Sequence, residues 1–280
     1  MKKILSYRLL AFFLLFSFST AFLSCSKDDK KEKKEDEAII TPVEELGLGK
    51  NLQSEVSNNV PYEWYIDQGR TGPHSSVNCG PSSATMAIKW VDETFTKTTE
   101  DARNAMRPEG GWCYTSDLIK YMNDNQIDSY LIQLKHINNI NQALDKGDVV
   151  ILCLDMYYIR REQQPAYHVD RFYAANSPDW GHFLVVKGYK VVDNVRFYEV
   201  YDPYSFGISY SDGTIKGKDR YYREADLDKA TQVWWAYAIA VPRKNENVSR
   251  TGYRNENPDW IDPDKINHNY GGIIVANSNN

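Results

Sequence analysis

Cysteine is scarce in this chain, with four residues in 280. They form no CxxC pair and no histidine-spaced cluster, which excludes the common structural zinc sites and a disulfide-dense scaffold. Histidine is scarce too. Any imidazole chemistry must come from His74, His136, His168, His182 or His268. Positive charge is in deficit: 33 Lys and Arg face 38 Asp and Glu, for a net charge of −5. With no basic patch, nucleic acid is excluded as a partner class. No glycine-rich phosphate loop and no internal repeat occurs, which removes nucleotide-binding and solenoid architectures. No metal and no cofactor is expected.

What is present begins with an export pattern. Lys2, Lys3 and Arg8 precede an apolar run from Leu9 to Phe22, which ends in Phe22-Leu23-Ser24-Cys25. The run is short for a membrane span and closes on a small residue. It resembles a bacterial lipoprotein signal peptide, with Phe22 where leucine is commoner. An uncleaved anchor helix is the alternative. The resemblance implies that residues 1–24 are removed and that Cys25 carries lipid. Ser26-Lys27-Asp28-Asp29 resembles the surface-export signal of Bacteroidetes lipoproteins, which implies the outer membrane, facing outwards. From Lys27 to Glu37 nearly every residue is charged, with both signs mixed. Such a segment buries no apolar area and is expected to be a solvated tether. The expected organisation is a signal peptide at 1–24, a lipidated tether and linker at 25–59, one domain at 60–242 and an extension at 243–280.

Within the domain, helical patterns come first and strand patterns second. Helices are expected from Cys79 to about Phe95, Thr98 to Met106, Thr115 to Asn125 and Ile137 to Asp145. Strands are expected at Tyr130–Leu134, Val149–Leu154, His182–Tyr189, Val195–Tyr201 and Trp234–Val241. Val60 to Ile66 reads as extended and Asn51 to Pro61 as linker. The order indicates an α+β fold, with N-terminal helices packed on a mostly antiparallel sheet.

Cys79 stands out because Asn78-Cys79-Gly80-Pro81 opens a helical pattern. Pro81 suits a first helical position. The thiol then lies where unpaired N–H groups and the positive end of the helix dipole converge, which favours thiolate. Gly80 is read as leaving space beside the sulfur for a substrate backbone. A buried structural cysteine ahead of a Gly-Pro turn is the other reading. A nucleophilic cysteine needs a base and a group that orients it. His182 opens a buried strand beside Gly181, and Asp202 ends a second strand at Tyr201-Asp202-Pro203. A satisfied core histidine and an ordinary strand stop are the alternatives. Register offers a check. A plain two-residue turn at Asp193-Asn194 puts Asp202 opposite Val185, on the wrong face. An odd-length turn or a bulge puts it opposite Leu184, diagonal to His182. Gln68 lies shortly before Cys79 and is a candidate oxyanion donor, or else a surface glutamine. Cys113 and Cys153 complete the cysteines. A disulfide between them is open, and Cys153 reads most simply as a core residue.

Gln68, Asn78-Cys79-Gly80-Pro81, the run from Gly181 to Tyr189 and Tyr201-Asp202-Pro203-Tyr204 together resemble the papain-like cysteine peptidases. The bacteriocin-processing, double-glycine branch and its stand-alone relatives are the most similar. The resemblance runs from about Val60 to Pro242. It implies a papain-like fold and a peptide or protein substrate. It also implies Cys79 as nucleophile, His182 as base and acid, Asp202 as orienter and Gln68 as oxyanion donor. No transporter region follows, so leader cleavage coupled to export is not implied. Asp155 to Trp180 stands as a long insertion before His182, read as a lid or cleft wall, with an irregular packed loop as the alternative. Tyr157, Tyr158 and Trp180, with Gly80 and Gly181, are candidate substrate contacts. The functional expectation is a surface-anchored cysteine peptidase. A transpeptidase using the same site and a non-catalytic binding protein on this scaffold are the alternatives. Asn247-Val248-Ser249 fits a glycosylation sequon by chance.

Overall fold

The computed structural model describes residues 42–233, 236–243 and 260–261. The signal peptide, Cys25, most of the tether, Trp234-Trp235 and the Asn247 sequon lie outside the described residues. Among the described residues, eight strands form one sheet, and every pairing between them is antiparallel. These are β1 (Leu52–Ser57), β2 (Tyr130–Gln133), β3 (Val149–Asp155), β4 (Gly181–Val192), β5 (Val195–Tyr201), β6 (Arg220–Arg223), β7 (Tyr237–Val241) and β8 (Trp260–Ile261). The order across the sheet is β6-β5-β4-β3-β7-β2-β8, and β1 pairs with the far half of β4. The α+β architecture is as expected, with helices packed on both faces.

β3 shows why the centre of the sheet reads as an unbroken apolar run. Val150, Leu152 and Leu154 point into one core, against Leu184, Val186 and the segment from Ile137 to Leu144. Val149, Ile151 and Cys153 point into the other, against Phe183, Val185 and the helices at the front of the domain. Strict period-two alternation with both faces covered makes every position apolar. Each such side chain contributes about 1.5–3 kcal/mol by leaving water.

The front core is built on α1 (Cys79–Val91), whose Ala84, Met86, Ala87, Ile88 and Trp90 are all buried. Asn78 is its N-cap residue, so Pro81 is the third helical position and not the first. Asn78 does not cap with its side chain. Its amide donates to the Thr71 carbonyl and hydroxyl, and its Oδ1 accepts from Arg103 Nε at 2.7 Å. Arg103 lies on α2 (Thr99–Met106), which starts with a reciprocal cap between Thr98 and Asp101. Its guanidinium also donates to the Val77 and Gly111 carbonyls. The approach to Cys79 is therefore fixed from α2. α3 (Thr115–Asp124) is capped one residue earlier than expected, at Tyr114. The single helix expected over 137–145 is a 3₁₀ turn at Ile137–Ile140 followed by α4 (Asn141–Asp145).

The structure departs from expectation mainly at the edges. Asn51 to Pro61 is not a linker, because β1 occupies 52–57. The packed body also begins before residue 60, since Leu46 and Leu48 are buried with Val192, Phe197 and Tyr221. Val60 to Ile66 forms no strand, although Val60 and Trp64 are buried. β6 and α5 (Glu224–Ala230) were not foreseen. Part of the C-terminal extension joins the sheet, because Leu131 pairs with Ile261.

The β4–β5 hairpin sets the register on which the site depends. Its turn is the tight two-residue kind, with Asp193 at φ 49° and Asn194 at φ 64°, the twist-compatible primed geometry. Val192 pairs with Val195, and the ladder is regular to Gly188 opposite Glu199. There it slips: Val186 pairs with Val200 and Val185 with Tyr201. Lys187 is the extra residue of a β-bulge. The bulge moves the position after Tyr201 from opposite Val185 to opposite Leu184.

Candidate active site

Three elements bring the candidate residues together. α1 delivers Cys79 at its first position, β4 delivers His182 near its start, and the exit of β5 delivers Asp202. His182 Nε2 lies 2.8 Å from Asp202 Oδ1, with both side chains buried. The other ring nitrogen, Nδ1, is not used by Asp202, and the Cys79 thiol and the ring are close enough for each to shift the other's pKa. The fold brings the sulfur, the imidazole and the carboxylate into one neighbourhood.

Electrostatics act on each member. Burial pushes the Cys79 thiol up, but the His182 ring beside it and the backbone N–H groups of Phe183 and Gly80 outweigh this, and the thiol lies below its ordinary value. Burial pulls His182 down, yet the Asp202 carboxylate and the Cys79 sulfur bring it up to about 9. Burial raises Asp202, and His182, Tyr222 and the Tyr204 N–H reverse the sign, holding the carboxyl below its usual range. The other two thiols behave oppositely. Burial pushes Cys113 up to about 12 and Cys153 well above its ordinary value. Both are free, so no Cys113–Cys153 disulfide forms.

Asp202 is saturated with donors. Oδ1 accepts from His182 and from the Tyr204 N–H at 2.9 Å. Oδ2 accepts from the Tyr173 hydroxyl at 2.9 Å and the Tyr222 hydroxyl at 2.5 Å. Its backbone is fixed too, with its N–H on the Gly217 carbonyl and its carbonyl accepting from the Tyr65 hydroxyl. Neither tyrosine role was foreseen, and with 20 tyrosines in the chain no local signal singles these two out.

Gln68 is fully buried, not a surface residue. Its N–H donates to the Pro203 carbonyl and its side-chain amide to the Ser75 carbonyl, each at 2.8 Å. It thus bridges the loop after Asp202 and the segment before Cys79. The Asp67 carboxylate reinforces this bridge by accepting from the Phe206 and Gly207 N–H groups. Gly80 is corrected. A Cβ there would lie 3.1 Å from Cys113 Cβ and 3.2 Å from Leu118 Cδ1. Close packing of the helix start requires the glycine, and no substrate space opens at that point.

The segment from Met156 to Trp180 is a tied-down wall and not a lid. Arg171 is buried and donates to the Ile159, Tyr173 and Ala175 carbonyls. Arg220 reaches in from β6 to the Tyr167, Val169 and Asp170 carbonyls and to Glu162. Within the segment His168 stacks on Tyr210. At its end the Trp180 ring lies 5.8 Å from His182 and 5.0 Å from Tyr204, whose ring meets Phe206 at 4.7 Å. Tyr157 and Tyr158 form an exposed edge-to-face pair. Gly181 is partly exposed and pairs with Asp155.

No family profile and no characterised protein sequence matches the chain. Several solved structures are similar to it. A chain described as a C39-like peptidase from Bacillus anthracis matches over 69% of this chain and 100% of its own, at 14% identity and a TM-score of 0.46. Xylellain, a cysteine protease from Xylella fastidiosa, matches over 73% and 90%, at 14% identity and a TM-score of 0.45. Digestive procathepsin L 3 of Tenebrio molitor matches over 69% and 70%, at 15% identity and a TM-score of 0.44.

Proposed function

We propose that the chain is a cysteine peptidase of the papain-like kind, held on the outer face of the outer membrane by lipid on Cys25. One observation carries the reading: Asp202 holds His182 Nε2, and the ring lies close enough to Cys79, at a helix start, to lower the thiol. A core histidine has no need of a depressed thiol, and a structural cysteine has no need of an imidazolium. A thiolate facing an imidazolium is the resting state of a thiol nucleophile.

On this reading the reaction runs in two halves. The Cys79 thiolate attacks the scissile carbonyl carbon. The developing oxyanion is received by the Cys79 N–H, unpaired at the first helical position, and by an amide N–H of Gln68. The His182 imidazolium gives its Nδ1 proton to the leaving amine, the C–N bond breaks, and a thioester remains on Cys79. Water attacks the thioester, His182 takes its proton, and the sulfur leaves as thiolate beside the restored imidazolium. Asp202 keeps the ring oriented and stays ionised. Trp180 beside His182, with Gly181, Tyr157 and Tyr158, forms the aromatic wall that a peptide substrate meets.

Two measurements test the reading. A peptide library incubated with the protein is cleaved, and Cys79→Ala lowers the rate by ~10⁴-fold or more. Residual cleavage equal to the parent's defeats the peptidase reading. For the anchor, labelled fatty acid enters the parent and not Cys25→Ser. Equal labelling of both defeats the lipoprotein reading.

A further inference from the structure

Asp202 must do two things for His182: stay ionised and present one oxygen at one angle. A buried carboxylate does neither without donors, because burial favours the neutral acid and an unpaired oxygen leaves the group free to rotate. Two hydroxyls meet this need, from elements distant in sequence. Tyr222 lies on β6, one strand beyond Asp202, and Tyr173 lies in the segment before β4. Both rings are buried and both hydroxyls end on Oδ2, the oxygen that His182 does not use. Tyr173 in turn depends on Arg171, which holds the Tyr173 and Ala175 carbonyls.

Resting on the peptidase reading, we infer that Tyr173 and Tyr222 are positioning residues of the reaction, a two-hydroxyl clamp that fixes the Asp202 carboxylate and thereby orients His182. The long segment before β4 is then part of the catalytic apparatus, since it supplies half of the clamp. The groups facing the Asp202–His182 pair are Cys79 from α1, Tyr204 from the following loop, Tyr65 from the segment before Gln68, Arg171 and the two clamp tyrosines. Arg171 is the cation in that set, and its three carbonyl partners already hold it. The hydroxyls are therefore the donors that Oδ2 depends on.

The sign of the effect follows from charge. When His182 loses its proton, the Asp202 charge is left without its cation, and the hydroxyl donors matter most in that state. Removing them disfavours deprotonation, so the alkaline limb of activity moves to higher pH. It also loosens the ring, which lowers kcat while leaving KM near its starting value.

The test compares Tyr173→Phe and Tyr222→Phe in the full chain, with Tyr198→Phe as control. Tyr198 is also a buried tyrosine, but its hydroxyl meets Asn141. Two readouts are taken: kcat and KM against pH for peptide cleavage, and the pH dependence of Cys79 alkylation by iodoacetamide, located by peptide mapping. The clamp predicts about a tenfold fall in kcat for each variant, alkaline limbs moved upward in both readouts, and an unmoved control. Either variant decides the matter alone if the other does not fold. A folded clamp variant with kcat and both limbs equal to the parent's overturns the inference. If parent Cys79 alkylates like an ordinary thiol, the peptidase reading has failed. Parent-like limbs in a variant whose thiolate persists mean that the clamp alone has failed.

Discussion

Burial and charge pull Cys79 in opposite directions, and the balance sets the working pH range. On the proposed reading, the thiolate–imidazolium pair persists between a thiol pKa held below its ordinary value and an imidazole pKa raised to about 9. The expected kcat/KM profile is therefore bell-shaped, with its alkaline limb near 9 and its acid limb below the ordinary thiol range. Replacing Asp202 with asparagine keeps an acceptor for the ring and removes its anion. Asp202→Asn should bring the alkaline limb down from about 9 toward 6.5, and a limb that stays put would show that Asp202 does not raise His182. The same shift links to stability. The folded-state pKa of His182 is raised, so its contribution is fully present below 6.5 and is lost as pH rises through about 9. Asp202 is depressed, so its contribution is present above 3.8 and is lost as pH falls through its lower folded value. Thermal midpoints measured from pH 5 to 10 should decline at the alkaline end, and less steeply in Asp202→Asn.

The β4–β5 hairpin shows what a one-residue irregularity decides. Asn194 beside Asp193 reads as a tight turn, and a regular ladder from it leaves Asp202 on the wrong face. Placing Asp202 on the His182 face needs an odd turn or a bulge, and a bulge is what forms. Its location at Lys187 was not legible, because nothing in Val185-Val186-Lys187-Gly188 marks a slip. The reason lies in partners remote in sequence. Lys187 Nζ reaches Glu199 Oε1 at 2.6 Å and Asp219 Oδ1 at 2.8 Å while buried, and a Cβ on Gly188 would collide with the Val56 carbonyl of β1. Central strands β3 and β4 were legible because both faces are apolar. β1 and β6 were not, since Leu52-Gln53-Ser54-Glu55-Val56-Ser57 and Arg220-Tyr221-Tyr222-Arg223 carry polar or charged residues that suit edges. Lys187→Met leaves Glu199 buried without its cation. It should cost roughly 3–5 kcal/mol. Chemical denaturation measures it, and a variant as stable as the parent would show that Glu199 does not depend on the Lys187 ammonium. Gly188→Ala should push β1 off β4, costing about 1–3 kcal/mol and opening residues 52–57 to limited proteolysis.

At the scale of the whole molecule, the site is assembled from parts that share no local unit. Cys79 comes from the helical front, His182 from the sheet centre, Asp202 from a strand exit, and its donors from β6 and the segment before β4. Local fraying cannot remove one member and leave the rest, so activity should be lost only with the cooperative unfolding of the described body. The three thiols of that body report on this independently. All are buried and free, yet only Cys79 has a depressed pKa, while burial keeps Cys113 and Cys153 protonated. At mildly acidic pH, iodoacetamide should therefore label Cys79 alone in the native protein. Across a urea series, labelling of Cys113 and Cys153 should rise over the same interval in which tryptophan fluorescence shifts and peptide cleavage stops. Cys79 should lose its advantage over that interval too, because unfolding separates it from His182. Cys113 sits in the loop beside Gly80, so it is the sensitive probe of the front core. Labelling of Cys113 well before the fluorescence transition would mean that the front helices open as a separate unit, and that the site is completed only when they dock.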